Sequence, residues 1–251
     1  MPRKLGQHFL VRDSILEKLA VAASSSHTPR VVEIGPGRGA LTRHLLPRTD
    51  ELHAIELDSS LVEHLAATFA ANPKLRLHHA DVLKTDLAQW GAAVITGNLP
   101  YYITSPIIQK FLALDERFQT AVFLLQWEVA QRILAAPGTR DYGYLTVSAQ
   151  LICDVELICK APRNAFSPPP RVDSAAVRFQ RKPAVAPNLS SVLKLVSRSF
   201  AHKRKTLRNN LAPFYGPAVE ALPEAALRAE QLSISQFIDL HTTLVGNAEE
   251  D

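Results

Sequence analysis

The sequence predicts an α/β fold: a mostly parallel sheet flanked by helices, with an antiparallel last strand, followed by a small all-helical C-terminal domain. Three observations predict it. Short apolar or β-branched runs alternate with helical patterns through the first half of the chain. Two later strand-like runs are separated only by a proline-rich loop with no room for a crossover helix, which allows them to pair antiparallel. Beyond Pro183–Pro187 only helical patterns remain, so the sheet domain is expected over 1–182 and the helical domain over 183–251.

The elements follow in order. Ser14–Ala23 puts Ile15, Leu16, Leu19, Ala20 and Ala23 on one helical face, with Asp13 as N-cap. Val31–Ile34 is a buried strand ending at Gly35, and Gly39–Leu46 a helix stopped by Pro47. Leu52–Leu57, Leu75–His79, Ala92–Thr96 and Thr120–Leu125 read as strands. Ser60–Ala71, Ile103–Leu114 and Glu128–Ala135 read as the interleaved helices. Leu145–Ile158 and Val172–Phe179 read as the two strands on either side of the loop Pro162–Pro170. Val192–Phe200, Thr206–Leu211 and Ile234–Leu244 are the helices of the second domain, and the polar, acidic Asn247–Asp251 is expected to be disordered.

Composition narrows the function classes. The chain has 251 residues, 47% hydrophobic and 21% charged, ordinary for a soluble globular protein. Its two cysteines, Cys153 and Cys159, offer neither a disulfide framework nor a zinc spacing and read as small buried hydrophobes. No metal is expected. No run of roughly 18 apolar residues occurs, and Met1–His8 has no signal-peptide core, so a cytoplasmic protein is expected, with no membrane partner. The net charge is +4, and its distribution is uneven. Ser174–Val219 contains no Asp or Glu but holds Arg178, Arg181, Lys182, Lys194, Arg198, Lys203, Arg204, Lys205 and Arg208. Such a block is either a solvated basic face or a contact for RNA phosphate.

Glu33-Ile34-Gly35-Pro36-Gly37-Arg38-Gly39 follows the first strand of the sheet and opens a helix. Glycines there let the backbone turn sharply and let a ligand approach. Glu56 ends the next strand, 21 residues after Gly35, where an acid binds ribose hydroxyls. Asp81 follows the third strand, placed to accept from an adenine amine. The Gly-x-Gly-x-Gly spacing departs from the Gly-x-Gly-x-x-Gly of NAD sites. It suits a cofactor without pyrophosphate, and S-adenosylmethionine is one.

Thr96-Gly97-Asn98-Leu99-Pro100-Tyr101-Tyr102 follows the fourth strand, beside the cofactor loop. An exocyclic adenine amine is conjugated with its ring and is a poor nucleophile. Asn98 can accept one amine hydrogen, the backbone carbonyl of Leu99 or Pro100 the other, and Tyr101 can stack on the base. The alternative for this segment is a plain Asn-Pro turn with a packed tyrosine. Phe166, ahead of Pro168-Pro169-Pro170, is either a second stacking platform or a ring packed beneath that loop.

On these residues the chain resembles the bacterial small-subunit (16S) rRNA adenine dimethyltransferase family. The markers are Gly6-Gln7-His8-Phe9-Leu10, Glu33–Gly39, Glu56-Leu57-Asp58, Asp81-Val82, Asn98–Tyr101, Phe166–Ser174 and Arg204–Leu211, spread over nearly the whole chain. The resemblance implies a Rossmann-like S-adenosylmethionine-dependent methyltransferase domain plus a helical RNA- or ribosome-binding domain. It implies that His8, Leu10, Gly35, Gly37, Glu56, Asp81, Val82 and Asn98 contact the cofactor. Asn98, Leu99, Pro100, Tyr101 and Phe166 would hold the target adenine, with Tyr101 and Phe166 as a sandwich. Lys203, Arg204, Lys205 and Arg208 would bind RNA. The implied substrate is two adjacent adenosines in a hairpin loop near the 3′ end of small-subunit rRNA, each dimethylated within a partly assembled subunit, by a monomer. The rivals are a large-subunit adenine methyltransferase of the macrolide-resistance type and a non-catalytic assembly or nucleic-acid-binding factor. Trp127 stands where the family pattern has Lys, and is expected to pack.

Overall fold

The structure, a computed structural model, describes residues 8–25, 27–183 and 188–246. Gly6 and Gln7, most of the 183–187 break, and the polar tail 247–251 lie outside the described residues. The chain runs β1 (Phe9–Leu10), α1 (Asp13–Ala23), β2 (Thr28–Ile34), α2 (Ala40–Leu45), β3 (Thr49–Glu56), α3 (Ser59–Thr68) and β4 (Leu75–His79). It continues through β5 (Val94–Asn98), α4 (Thr104–Leu112), β6 (Thr120–Gln126), α5 (Trp127–Ile133), α6 (Tyr144–Ile152) and β7 (Cys153–Ala161). Then come β8 (Phe166–Ser167), β9 (Ser174–Arg181), α7 (Leu189–Ser199), α8 (Leu207–Tyr215) and α9 (Ile234–Gly246).

Seven strands form one sheet in the order β4-β3-β2-β5-β6-β9-β7. The pairs β2–β3, β3–β4, β2–β5 and β5–β6 are parallel, while β9 pairs antiparallel with β6 from Thr120↔Gln180 to Gln126↔Ser174. This is the predicted mixed sheet. Its central strands read as unbroken apolar runs because both faces are covered. One face buries Val31, Leu52, Val122 and Leu124 against Leu16 and Leu19 of α1 and Leu41 and Leu45 of α2. Strand order reverses between β2 and β5, which opens a crevice at the carboxyl ends of these strands. A separate ribbon, β1 with β8, pairs Leu10↔Phe166 and Phe9↔Ser167.

Two compact units divide the chain. One runs through Ala130 and resumes over Val155–Arg181; the other holds Gln131–Asp154 and the residues from Lys182 onward. The second unit therefore includes a segment that the sequence pattern assigns to the sheet domain. The same segment carries the main error in the predicted elements: Leu145–Ile152 is helix α6, and only Cys153–Ala161 is strand. Leu145, Val147, Ala149 and Leu151 alternate with Thr146, Ser148 and Gln150, a period that imitates a strand. The polar residues are satisfied in a helix. Ser148 donates to Leu145 O at 3.2 Å, and Gln150 Nε2 donates to Ile133 O at 2.9 Å and Ala135 O at 3.1 Å. Helix α6 packs on α7 and α9, so it is covered on more than one side. At α1, Arg12 rather than Asp13 is the N-cap; Asp13 lies in the first turn and pairs with His44 Nε2 at 3.0 Å.

Candidate active site

The first unit holds a cavity of about 250 Å3 at the carboxyl ends of β2, β3, β4 and β5. Each strand delivers one predicted element to it: the Gly35–Gly39 loop after β2, Glu56 at the end of β3, Asp81 and Val82 after β4, and Asn98–Tyr101 from β5. His8 and Leu10 of the β1 segment also line it, so of the expected cofactor and target residues all but Phe166 meet there.

The loop is built on left-handed backbone. Gly37 has φ +58°, and a Cβ there would lie 3.0 Å from the Phe9 ring, so glycine is needed for both conformation and space. Its N–H donates to Glu56 Oε2 at 3.2 Å, while Leu57 N and Asp58 N donate to Glu56 Oε1 at 2.9 and 3.0 Å. Three backbone donors thus hold the Glu56 carboxylate in place, and of its roughly four acceptor positions about one is left for a ligand. Asp81 Oδ1 accepts from Leu83 N at 2.9 Å, which orients the carboxylate and leaves Oδ2 without a partner among the described residues.

Glu33, the first residue of the glycine motif, has a place in the site that the motif alone does not assign. It is 1% exposed, lines the cavity, and accepts from Thr42 Oγ1 at 2.7 Å. Burial pushes its carboxyl up to about 8, against the Thr42 hydrogen bond, and the nearby Glu56 charge adds to the rise. With Glu33 held largely protonated, the carboxyls of Glu56 and Asp81 face one cation among the described lining residues, Arg38, which lies 4.8 Å over the Phe9 ring. That charge set repels a pyrophosphate. It fits an adenosine bearing a cationic tail, so the residues present match S-adenosylmethionine and not NAD.

Asn98 is fixed by a long-range contact. Its Nδ2 donates to His8 O at 3.0 Å, 90 residues away in sequence, and its Oδ1 has no hydrogen-bond partner among the described residues. Pro100 O accepts from Ile103 N and from Thr104 Oγ1, both at 3.1 Å, so both of its lone pairs are engaged. Of the two carbonyls the sequence left open, Leu99 O is the one without a partner, while Leu99 N donates to Leu124 O at 2.9 Å. Tyr101 stacks on the His8 ring at 5.9 Å and 27°, and its hydroxyl meets Ser174 Oγ at 2.9 Å. Burial raises the Tyr101 pKa, so the phenol stays neutral.

Phe166 stands apart from this group. Only 4% exposed, it belongs to the apolar cluster of Leu10, Ile15, Leu124 and Ala176 and does not line the cavity. The β1–β8 pairing directs it there: Leu10 and Phe166 are register partners. In this structure Phe166 is packed, and the aromatic rings that line the cavity are those of Phe9, Tyr101 and Tyr102.

The acid-free block also divides. Arg181 is buried and donates to Leu114 O at 2.9 Å and Phe118 O at 3.3 Å, closing the turn after α4. Arg178 pairs with Glu156, Lys182 donates to Gln150 O at 2.6 Å, and Arg198 lies 4.1 Å over the Phe214 ring. Lys203 donates to Arg140 O at 2.9 Å. Arg204, Lys205 and Arg208 are exposed, and their side chains have no partner among the described residues. Trp127 is half-buried beneath Lys160, whose Nζ is 4.1 Å from its ring.

Comparison with known proteins identifies the family. A sequence model of the ribosomal RNA adenine dimethylase family matches residues 1–244. Relatives named ribosomal RNA small subunit methyltransferase A include one from Picosynechococcus sp., 36% identical over 97% of this chain and 97% of its own. Another, from Geobacillus thermodenitrificans, is 40% identical over 92% of this chain and 80% of its own. A dimethyladenosine transferase from Plasmodium falciparum superposes with a TM-score of 0.84 at 28% identity, covering 96% of this chain and 98% of that one. The 23S rRNA methyltransferase ErmE superposes with 0.76 at 27% identity, covering 94% and 99%. With a family model spanning almost the whole chain and relatives above a third identical end to end, the chain belongs to the ribosomal RNA adenine dimethylase family.

Proposed function

We propose that this chain dimethylates, at N6, two adjacent adenosines in a hairpin loop near the 3′ end of small-subunit rRNA, with S-adenosylmethionine as methyl donor. The observation that carries the chemistry is the pair of unpartnered acceptors at the end of β5, Asn98 Oδ1 and Leu99 O, beside a cavity with three carboxyls. The small-subunit address is supported by the names of the sequence relatives from Picosynechococcus and Geobacillus.

Bound S-adenosylmethionine supplies a methyl already activated by its positive sulfur. Asp81 and Val82 hold the adenine end, Glu56 the ribose, and the Gly35–Gly37 loop with His8 and Leu10 the tail. The chain's own work is positioning. Because His8 O holds the Asn98 amide nitrogen, Asn98 presents its oxygen to the target amine. Leu99 O takes the second amine hydrogen, and the nitrogen lone pair is turned out of conjugation. Tyr101, braced by His8 and Ser174, sets the plane of the base. Arg204, Lys205 and Arg208 meet RNA phosphate.

The setting we infer is the cytoplasm, on a partly assembled small subunit, with the protein acting as a monomer and without a metal. One feature is compatible with it: among the described residues no helix is long and apolar enough to cross a membrane. The test is mass spectrometry of rRNA after incubation of cofactor and protein with ribosomal subunits from a strain lacking the endogenous enzyme. Dimethyladenosine in small-subunit RNA is the expected result. Label confined to the large subunit would overturn the reading in favour of the macrolide-resistance type, and binding without transfer would favour a non-catalytic factor.

A further inference from the structure

The target site uses Tyr101 and leaves its neighbour without a task. Tyr102 is 62% exposed, more than any other large hydrophobic side chain among the described residues. It lines the same cavity as Asn98 and Tyr101. Its hydroxyl has no hydrogen-bond partner among the described residues, so neither burial nor a bond accounts for an aromatic ring at this position. The ring does not sit on a loose loop. It lies in the 3-10 turn Tyr101–Ile103, tied at Pro100 O by Ile103 N and Thr104 Oγ1 and leading straight into α4. The backbone that aims Tyr101 inward therefore fixes Tyr102 at the mouth.

We propose that Tyr102 is a stacking platform for the nucleotide that flanks the target adenosine. The inference rests on the function proposed above. When one base enters the cavity, the next base in the strand loses a stacking neighbour and remains outside, at the mouth. A fixed aromatic face there replaces the missing stack, holds the RNA in register, and tolerates either base because every base has a π-face. Tyr102 is thus a substrate-positioning residue: it acts on where the RNA sits and not on the reacting nitrogen.

The experiment compares wild type, Tyr102→Ala and Tyr102→Phe in steady-state methylation of small-subunit RNA, with cofactor affinity measured by calorimetry on the same proteins. Removing one base–aromatic stack is expected to raise KM for RNA roughly tenfold. A smaller change in kcat, unchanged cofactor affinity, and recovery by Phe are expected with it. Unchanged KM in Tyr102→Ala overturns the proposal; so does a cofactor affinity that falls in step with KM, or a Phe variant as impaired as Ala. Should wild type itself transfer no methyl to adenine, the functional reading has failed. Binding of a single-stranded adenine oligonucleotide to wild type and Tyr102→Ala then decides the platform alone: weaker binding to the variant supports it, equal binding overturns it.

Discussion

Gly97 lies where β5 runs against the backbone of Ile34 at the end of β2, and Gly97→Ala measures how closely the two halves of the site must approach. A Cβ on Gly97 would lie 2.3 Å from the carbonyl oxygen of Ile34, 3.1 Å from its carbon and 3.2 Å from its nitrogen. These are backbone atoms and cannot rotate away. The oxygen contact falls short of a tolerable 3.0 Å by about 0.7 Å, so β2 and β5 must move apart by about that much. The position is one residue beyond the last β2–β5 pair, Glu33↔Thr96. The movement is therefore delivered where β2 gives way to Gly35 and β5 to Asn98. Overpacking of this kind costs about 1–3 kcal/mol of stability. A displacement approaching 1 Å at reacting groups costs about 100-fold in rate. Urea unfolding and single-turnover methyl transfer on Gly97→Ala check both parts, with circular dichroism to confirm folding. A variant with wild-type stability and rate would refute the argument that this contact sets the geometry of the site.

Asn98→Ala removes the acceptor held by His8 and is expected to lower methyl transfer by about 100- to 1000-fold. RNA affinity should be kept in that variant, and undiminished turnover would remove Asn98 from its role. Glu33 gives a pH signature. Its folded carboxyl is raised to about 8 by burial, against an ordinary value of 4.5, so between those values the unfolded chain releases a proton that the folded chain keeps. Wild-type stability should therefore fall as pH rises through that window, and Glu33→Gln should flatten the dependence, gaining on wild type towards the upper end. Urea titrations across the window measure it, and parallel pH profiles would contradict it. Replacing Arg204, Lys205 and Arg208 by Gln should reduce the slope of log K for RNA against log salt by about 0.7–0.9 for each phosphate no longer neutralised. Cofactor affinity should be unaffected, and an unchanged slope would assign these residues to a merely solvated face.

Parts of the site were legible in the sequence because their signals are local. The Glu33–Gly39 loop, Glu56, Asp81 and Asn98–Tyr101 each follow a recognisable apolar strand, and a parallel sheet brings the carboxyl ends of such strands together. Other parts misled for an equally physical reason. Leu145–Ile152 alternates polar and apolar residues as a strand does, yet forms a helix because distant helices cover it on further sides. Gly97 carried a usable signal, since a glycine inside a strand marks close backbone approach, although not which backbone. Tyr102 carried none beyond its place after Tyr101, because exposure is invisible in a sequence.

By itself the sequence determined neither helix α6 nor the β1–β8 ribbon, but it did determine most of the order of strands and helices, the antiparallel last strand, the glycine loop and the acceptor motif. These depend on periodicity and turn chemistry within a few residues. Only the tertiary structure decided which groups remain available to a ligand. Pro100 O is taken by Ile103 and Thr104, leaving Leu99 O, and His8 holds the Asn98 nitrogen, leaving Oδ1 without a partner among the described residues. Phe166 is drawn into the core by its pairing with Leu10, while much of the basic block is spent on internal partners and Arg204, Lys205 and Arg208 stay exposed. Burial and hydrogen-bond occupancy are set by segments far apart in the chain, and a buried polar group finds its partner wherever the fold places one.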